Sequence, residues 1–193
     1  AAIGAKYGFK VRIYMPDFVS EERQKIIKLY GAEIKLISRE EGGFKKAIEL
    51  VKEEVENGAF SPNQFSNEQN IMAHYLTTGK EITDKIKVDA FVSGIGTGGT
   101  LMGIAKRIKE QNPQALIYGL EPENMTLIKE NKVGTHKIEG IGDEFIPEIV
   151  DTNILTDVIL VNDDDAINMS KKLARELGFG VGISSGANFL VAV

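Results

Sequence analysis

The chain has 193 residues, 42% of them hydrophobic, with 28 acidic against 23 basic side chains and a formal net charge of −5. This length suits one substantial core or two small lobes, and charges without a basic stripe argue against nucleic acid or an anionic membrane and leave a small molecule as the expected partner. Cysteine is absent, which excludes disulfides, thiol nucleophiles and Cys-ligated zinc and is compatible with a reducing, cytoplasmic setting; no apolar run reaches the roughly 18 to 20 residues of a membrane span.

Residues 1–7 read as the end of a helix already under way, so a start upstream is expected. Residues 10–15 (KVRIYM) form a short β-branched strand that Pro16 and Asp17 end. Ser20 is placed to cap a helix with Glu21 and Glu22 in its first turn, Ile26, Ile27 and Tyr30 on one face and Gly31 as the stop. A strand over residues 32–37 follows. Residues 43–57 repeat apolar side chains at Phe44, Ala47, Ile48, Val51 and Val55, an amphipathic helix whose charged run over residues 45–56 is a solvated face with i,i+4 partners. Between residues 57 and 70 the text turns to Gly, Pro, Ser, Asn and Gln, which places a boundary between a small lobe, residues 1–60, and a larger lobe, residues 61–193.

The larger lobe opens with helical text over residues 67–85. Residues 88–93 (VDAFVS) then read as a strand buried on both faces. A glycine-rich turn, a helix over residues 100–111 and a strand over residues 115–121 come next. An irregular stretch runs through Pro147, and a strand near residues 158–161 precedes a helix over residues 163–177 stopped by Gly178. The text ends at Val193 inside another helix. Alternating strands and helices predict an α/β fold built on parallel sheet.

The most informative segment is Ser93-Gly94-Ile95-Gly96-Thr97-Gly98-Gly99-Thr100, between a strand and a helix. Glycines let backbone N–H groups approach a ligand closely, and the helix N-terminus favours an anion. Without Gly-Lys-Ser/Thr it is not an ATP loop. Gly94-x-Gly96-x-x-Gly99 also fits the dinucleotide fingerprint, with Glu121 near the place of a ribose-binding acid. A nicotinamide dinucleotide, another phosphate ligand and a plain tight turn therefore stay open at this point.

Four ordered segments decide by resemblance: NQFSNEQN (residues 63–70) with Thr77-Thr78-Gly79 behind it, GTGGT (residues 96–100), HKIEGIGDEFIPEIVD (residues 136–151) and GISSGAN (residues 182–188). Their order and spacing resemble the cysteine synthase and cystathionine β-synthase family, as does the opening from Ala1 to Ile34. The resemblance implies a two-lobed, three-layer αβα fold of the type II pyridoxal-phosphate class. It assigns the cofactor's phosphate to Gly96, Thr97, Gly98, Gly99 and Thr100, the pyridine nitrogen to Ser184 and the substrate carboxylate to Gln64. Read from residues alone, a helix N-cap is the lesser alternative for Ser184, and an ordinary loop amide is an equal one for Gln64. The loop from Gly140 to Phe145 resembles the mobile segment at the active-site mouth, with Gly140 facing the substrate. Common cysteine synthases carry Ala-Gly where this chain has Asp143-Glu144, so Asp143 is a candidate general base, its alternative being a solvated loop acid.

Other residues have structural readings. Asp163, Asp164 and Asp165 follow Asn162 in a helical first turn, where the dipole explains them without a metal. His74 and His136 lack paired ligand spacing and read as surface or packing histidines. The family attaches its cofactor through a lysine in Ser-x-Lys-Asp-Arg, and no lysine here has that context. A chain that is incomplete and inactive by itself is therefore expected. The whole enzyme is expected to perform β-replacement on O-acetylserine or serine, with sulfide or a thiol giving cysteine or cystathionine. The resemblance also implies a cytoplasmic homodimer, with serine acetyltransferase as a further partner. A nicotinamide-binding oxidoreductase domain is the alternative, and a non-enzymatic ligand-binding domain comes third.

Overall fold

The computed structural model describes residues 1–193, and the chain divides into two units, Ala1–Pro62 and Asn63–Val193. In the first, α1 (Ala2–Tyr7) is closed by Gly8 and leads to β1 (Arg12–Pro16), α2 (Glu21–Leu29), β2 (Glu33–Ile37) and α3 (Gly43–Glu56). The strands pair in parallel from Arg12 opposite Glu33 to Pro16 opposite Ile37, which requires a crossover, here α2. Met15, Ile37 and Ala47 form its buried centre.

Two local readings change in this unit. Ser20 stands at the N-cap of α2, yet its side chain makes no capping hydrogen bond. On α3, the charged face does not pair solely with itself: Glu54 accepts from Tyr14 Oη at 2.6 Å and from Arg12 Nη1 at 2.5 Å. These two partners, the tyrosine first, hold the Glu54 carboxyl below the usual carboxylate range. The carboxylate therefore leans onto β1 instead of facing water with its helical neighbours.

The second unit contains α4 (Glu68–His74), a π-helical turn (Tyr75–Gly79), α5 (Lys80–Thr83), β3 (Ala90–Gly94), α6 (Gly99–Gln111) and β4 (Leu116–Pro122). There follow α7 (Leu127–Glu130), a 3-10 turn (Thr152–Ile154), β5 (Asp157–Val161), α8 (Asp163–Leu177) and α9 (Ile183–Ala192). The sheet order is β3-β4-β5, all parallel. Central β4 shows how the layers form. Ile117 joins the buried cluster of Leu101, Ile104, Ala105 and Ile108 from α6, whereas Leu120 joins Val161, Ala166 and Ala187. Positions of opposite parity point to opposite faces of a strand, so α6 covers one face and α8 with α9 the other.

The expected double burial of residues 88–93 is not found. β3 pairs only with β4; Ala90 is exposed, and Phe91 and Val92 are half-buried. The helical text over residues 67–85 is borne out as a contiguous run from Glu68 to Thr83 with the π turn inside it. Gly79 closes that turn against α6, where a Cβ would lie 2.9 Å from Arg107 Cβ and 3.1 Å from the His74 carbonyl oxygen. No helix is long and apolar enough to cross a membrane.

Candidate functional site

The chain leaves β3 at Gly94, and Ile95 N–H donates to the Leu120 carbonyl at 3.2 Å. It then turns into α6 through Gly98, the N-cap residue, at φ +90°. This turn lines a pocket of about 230 Å³ whose walls include Gly96, Thr97, Gly98 and Thr100, with Ser93 and Gly140. Neither a carboxylate nor a lysine lines it. First-turn N–H groups of a helix have no intrahelical partner, so the pocket offers hydroxyls and amide donors and suits an anion.

Its glycines are there because neighbouring backbone and side chains leave no room for a Cβ. A Cβ on Gly96 would sit 2.4 Å from the Gly140 carbonyl oxygen, and one on Gly98 would sit 2.3 Å from Val150 Cγ2. Gly99 differs from its neighbours: it is turned toward α4, where a Cβ would lie 2.0 Å from Asn70 Oδ1.

Helix α4 backs the loop. Asn70 Nδ2 donates to the Gln64 carbonyl and to Thr97 Oγ1, each at 2.9 Å. His74 Nδ1 is 3.0 Å from Thr78 Oγ1, and its Nε2 is 3.2 Å from Thr100 Oγ1. The packing reading of His74 is thus incomplete, since both ring nitrogens are engaged and one reaches the glycine loop. Gln64 is exposed, with its carbonyl, not its amide, tied to this cluster.

The segment from Gly140 to Phe145 is hooked at two points. Gly142 N–H donates to the Ile95 carbonyl at 2.9 Å, while the Gly142 carbonyl lies 3.0 Å from His136 Nε2. Ile138 N–H donates to His136 Nδ1 at 3.2 Å, so the ring proton must be on Nε2, donating to Gly142. His136 is therefore a staple between two turns of this segment, the packing alternative of its two readings. Phe145 packs edge-on against Phe65 with ring centres 4.8 Å apart, which brings this loop beside Gln64. Asp143 is half-buried, and burial pushes its carboxyl above the ordinary aspartate range; nearby Glu144 adds to the rise and His136 opposes it.

Ser184 lies in the first turn of α9, whose N-cap is Gly182, so the helix-cap reading of Ser184 does not hold. Its carbonyl accepts from Asn188 Nδ2 at 2.8 Å, and Asn188 Oδ1 accepts from Gly94 N–H at 2.9 Å. One amide therefore ties the Ser184 turn to the start of the glycine loop. Ser185, by contrast, lines a broad groove of about 790 Å³ beside Phe91 and Tyr118.

The ribose role of Glu121 fails on its partners. Glu121 is only 4% exposed, and its carboxylate accepts from Ile128 N–H at 2.7 Å and Lys129 N–H at 3.2 Å. It is spent on the start of α7. At α8, Asn162 Oδ1 caps the helix by accepting from Asp164 N–H and Asp165 N–H, and Asp163 Oδ2 accepts from Lys137 N–H at 2.9 Å.

Sequence reasoning missed Asn70, His74, His136 and Asn188. The first two carry a legible signal, polar residues four apart on one helix. The staple at His136 has none, because its partner is a carbonyl placed by a loop.

Sequence and structure comparisons converge on one family. A profile described as pyridoxal-phosphate dependent enzyme matches residues 1–193. The cysteine synthase of Staphylococcus aureus is 41% identical over 199 residues, covering 100% of this chain and 63% of its own length. Thus the chain spans about 63% of that curated relative. A hydrogen sulfide-producing enzyme from Fusobacterium nucleatum superposes with a TM-score of 0.92 at 51% identity, covering 97% of this chain and 58% of its own. An O-acetylserine dependent cystathionine β-synthase from Helicobacter pylori gives 0.89 at 36%, covering 98% and 63%. With a profile that runs its whole length and an anion pocket at the start of α6, the chain belongs to the pyridoxal-phosphate dependent enzymes, in their type II fold.

Proposed function

We propose that the intact protein carries out β-replacement on O-acetylserine, serine or cysteine, with sulfide, a thiol or water as the incoming group. The pocket of threonine hydroxyls and glycine amides at the start of α6 is the observation that carries this reading. When bound, pyridoxal phosphate supplies an electron sink for charge developing at the substrate α-carbon. Thr97 and Thr100 hydroxyls and the amides of Gly96, Thr97, Gly98 and Thr100 would hold its phosphate, with Gly99 serving by its close packing on Asn70 and by donating its N–H to Thr97 Oγ1. The Ser184 hydroxyl would partner the ring nitrogen, and as a neutral group it would not force that nitrogen to be protonated as a carboxylate would. The Gln64 amide binds the substrate carboxylate, with Gly140 beside the substrate.

Asp143 gives the second half of the proposal. A half-buried carboxyl with a raised pKa is suited to accept a proton from water, a hydroxyl or a thiol. The likeness to a hydrogen sulfide-producing enzyme supports cysteine as a substrate, with sulfide as the group expelled. Residues 61–193 form the cofactor-binding lobe and residues 1–60 the small lobe. A cytoplasmic homodimer, and contact with serine acetyltransferase, rest on family resemblance alone.

Colour tests the reading directly. The purified full-length protein should be yellow, and borohydride should abolish the absorption. A colourless protein that enhances NADH fluorescence would overturn it.

A further inference from the structure

Asn70 and His74 stand four residues apart on α4, and each touches one threonine of the glycine loop. That spacing stacks side chains on successive turns of one helix face. The orientation of Asn70 is fixed by its partners. Its Nδ2 is 2.9 Å from the Gln64 carbonyl, which can only accept, and the second N–H points to Thr97 Oγ1 at the same distance. A hydroxyl that accepts a hydrogen bond keeps its own single hydrogen to donate, and Thr97 lines the pocket.

His74 repeats the arrangement one turn along. Nδ1 meets the Thr78 hydroxyl and Nε2 meets the Thr100 hydroxyl. With the proton on Nε2, His74 donates to Thr100, accepts from Thr78, and leaves the Thr100 hydrogen for the pocket. With the proton on Nδ1, the Thr100 hydrogen is consumed by the ring. Only the first tautomer makes both threonines donors at once.

We infer that Asn70 and His74 are positioning residues that fill the acceptor side of the Thr97 and Thr100 hydroxyls and so commit both hydroxyl hydrogens to an anion in the pocket. The anion is the cofactor's phosphate, and in this the inference rests on the function proposed above. Helix α4 thereby acts as a template for the loop. Asn70, through the Gln64 carbonyl, also ties the phosphate end of the site to the segment proposed to bind substrate carboxylate.

The test compares pyridoxal phosphate with pyridoxal, which lacks the phosphate, by equilibrium titration of the full-length apoenzyme. Wild type should prefer pyridoxal phosphate strongly. Asn70→Asp keeps the shape but removes both N–H donors, and His74→Leu removes the ring donor; each should shrink the preference about tenfold, because a hydrogen bond to a charged group contributes on this scale. His74→Gln retains an N–H donor and should restore most of it. A purely packing role would not distinguish Gln from Leu in this ratio. Should Asn70→Asp fail to fold, the cycle of His74→Leu with Thr100→Val decides: if His74 acts through Thr100, the double variant loses no more than Thr100→Val alone. Additive losses, or unchanged preference in folded Asn70→Asp and His74→Leu, would overturn the inference while leaving the phosphate reading intact. A wild type that binds both compounds equally would overturn both.

Discussion

Gly98 and Gly140 adopt nearly the same left-handed backbone, φ +90° and +92°, in opposite surroundings. A Cβ on Gly98 runs into Val150, whereas one on Gly140 meets nothing within 4 Å. The glycine loop is therefore held by hard contacts and by side chains behind it. The segment after Gly140 is held by two hydrogen bonds, to the Ile95 carbonyl and from His136, by Ile141 buried in the core and by Phe145 packed on Phe65, with open space only at Gly140 itself. One wall leaves no room for a side chain at its glycine, and the other is anchored by buried Ile141 and two hydrogen bonds yet leaves room at Gly140.

The sharpest way to break this contrast is Gly98→Val. Overpacking against Val150 together with a disturbed amide cradle should lower cofactor affinity about a hundredfold, read by retention on dialysis. Because the clash is with the protein, the melting temperature should fall as well. Gly98→Val that retains cofactor like wild type would remove the phosphate role.

On the wall that carries Gly140, Asp143→Asn should slow water-, serine- or cysteine-dependent turnover by about a hundredfold, the scale of general-base catalysis, with sulfide addition to O-acetylserine kept. Steady-state rates of both reactions decide between a base and an ordinary loop acid. The pH dependence has a definite sign. Burial raises the Asp143 pKa, so the acid limb of the base-dependent reaction should lie above the ordinary aspartate range, and it should vanish in the variant. The same rise means that the protonated form favours folding below the unfolded pKa, an advantage lost as pH passes the folded pKa. Asp143→Asn should therefore melt higher than wild type at neutral pH.

Ser184→Ala should slow elimination about tenfold by removing a hydroxyl from the ring nitrogen, with Ser185→Ala near wild type in stopped-flow absorbance. The reverse order would move the role to the serine that lines the groove. The smallest effect on stability belongs to Gly140→Ala, about 1 kcal/mol of backbone strain without a steric clash inside the protein, seen as a slight drop in melting temperature.

The layers of this fold were legible because their signals are local. Apolar residues at helical spacing place α3 and α8, and Gly31 and Gly178 stop helices where left-handed φ occurs. The glycine loop was legible for the same reason. The burial of residues 88–93 was not legible in the same way, since it depends on what lies beside the strand in the sheet, and within residues 1–193 β3 pairs only with β4. Glu121 illustrates the limit for the site. Its place after a strand fits a ribose acid, and only folding brings the amides of Ile128 and Lys129 onto it. His136 is hidden more deeply, since its role depends on a carbonyl six positions away and a tautomer set by a backbone amide.

The π turn at Tyr75–Gly79 carries a consequence for insertions and deletions. A π turn holds one more residue than an α turn, and each residue of an α-helix advances its faces by about 100°. Deleting one residue there, ordinarily among the harshest changes a helix can suffer, should here convert α4 and α5 into a continuous α-helix with its backbone bonds intact. What it should lose is phase: with α5 still seated against α6, Asn70 and His74 would rotate away from Thr97 and Thr100. Such a deletion should leave the far-ultraviolet spectrum of the protein nearly unchanged while its hold on the cofactor fails, marking the extra residue as a spacer retained for the site and not for the fold.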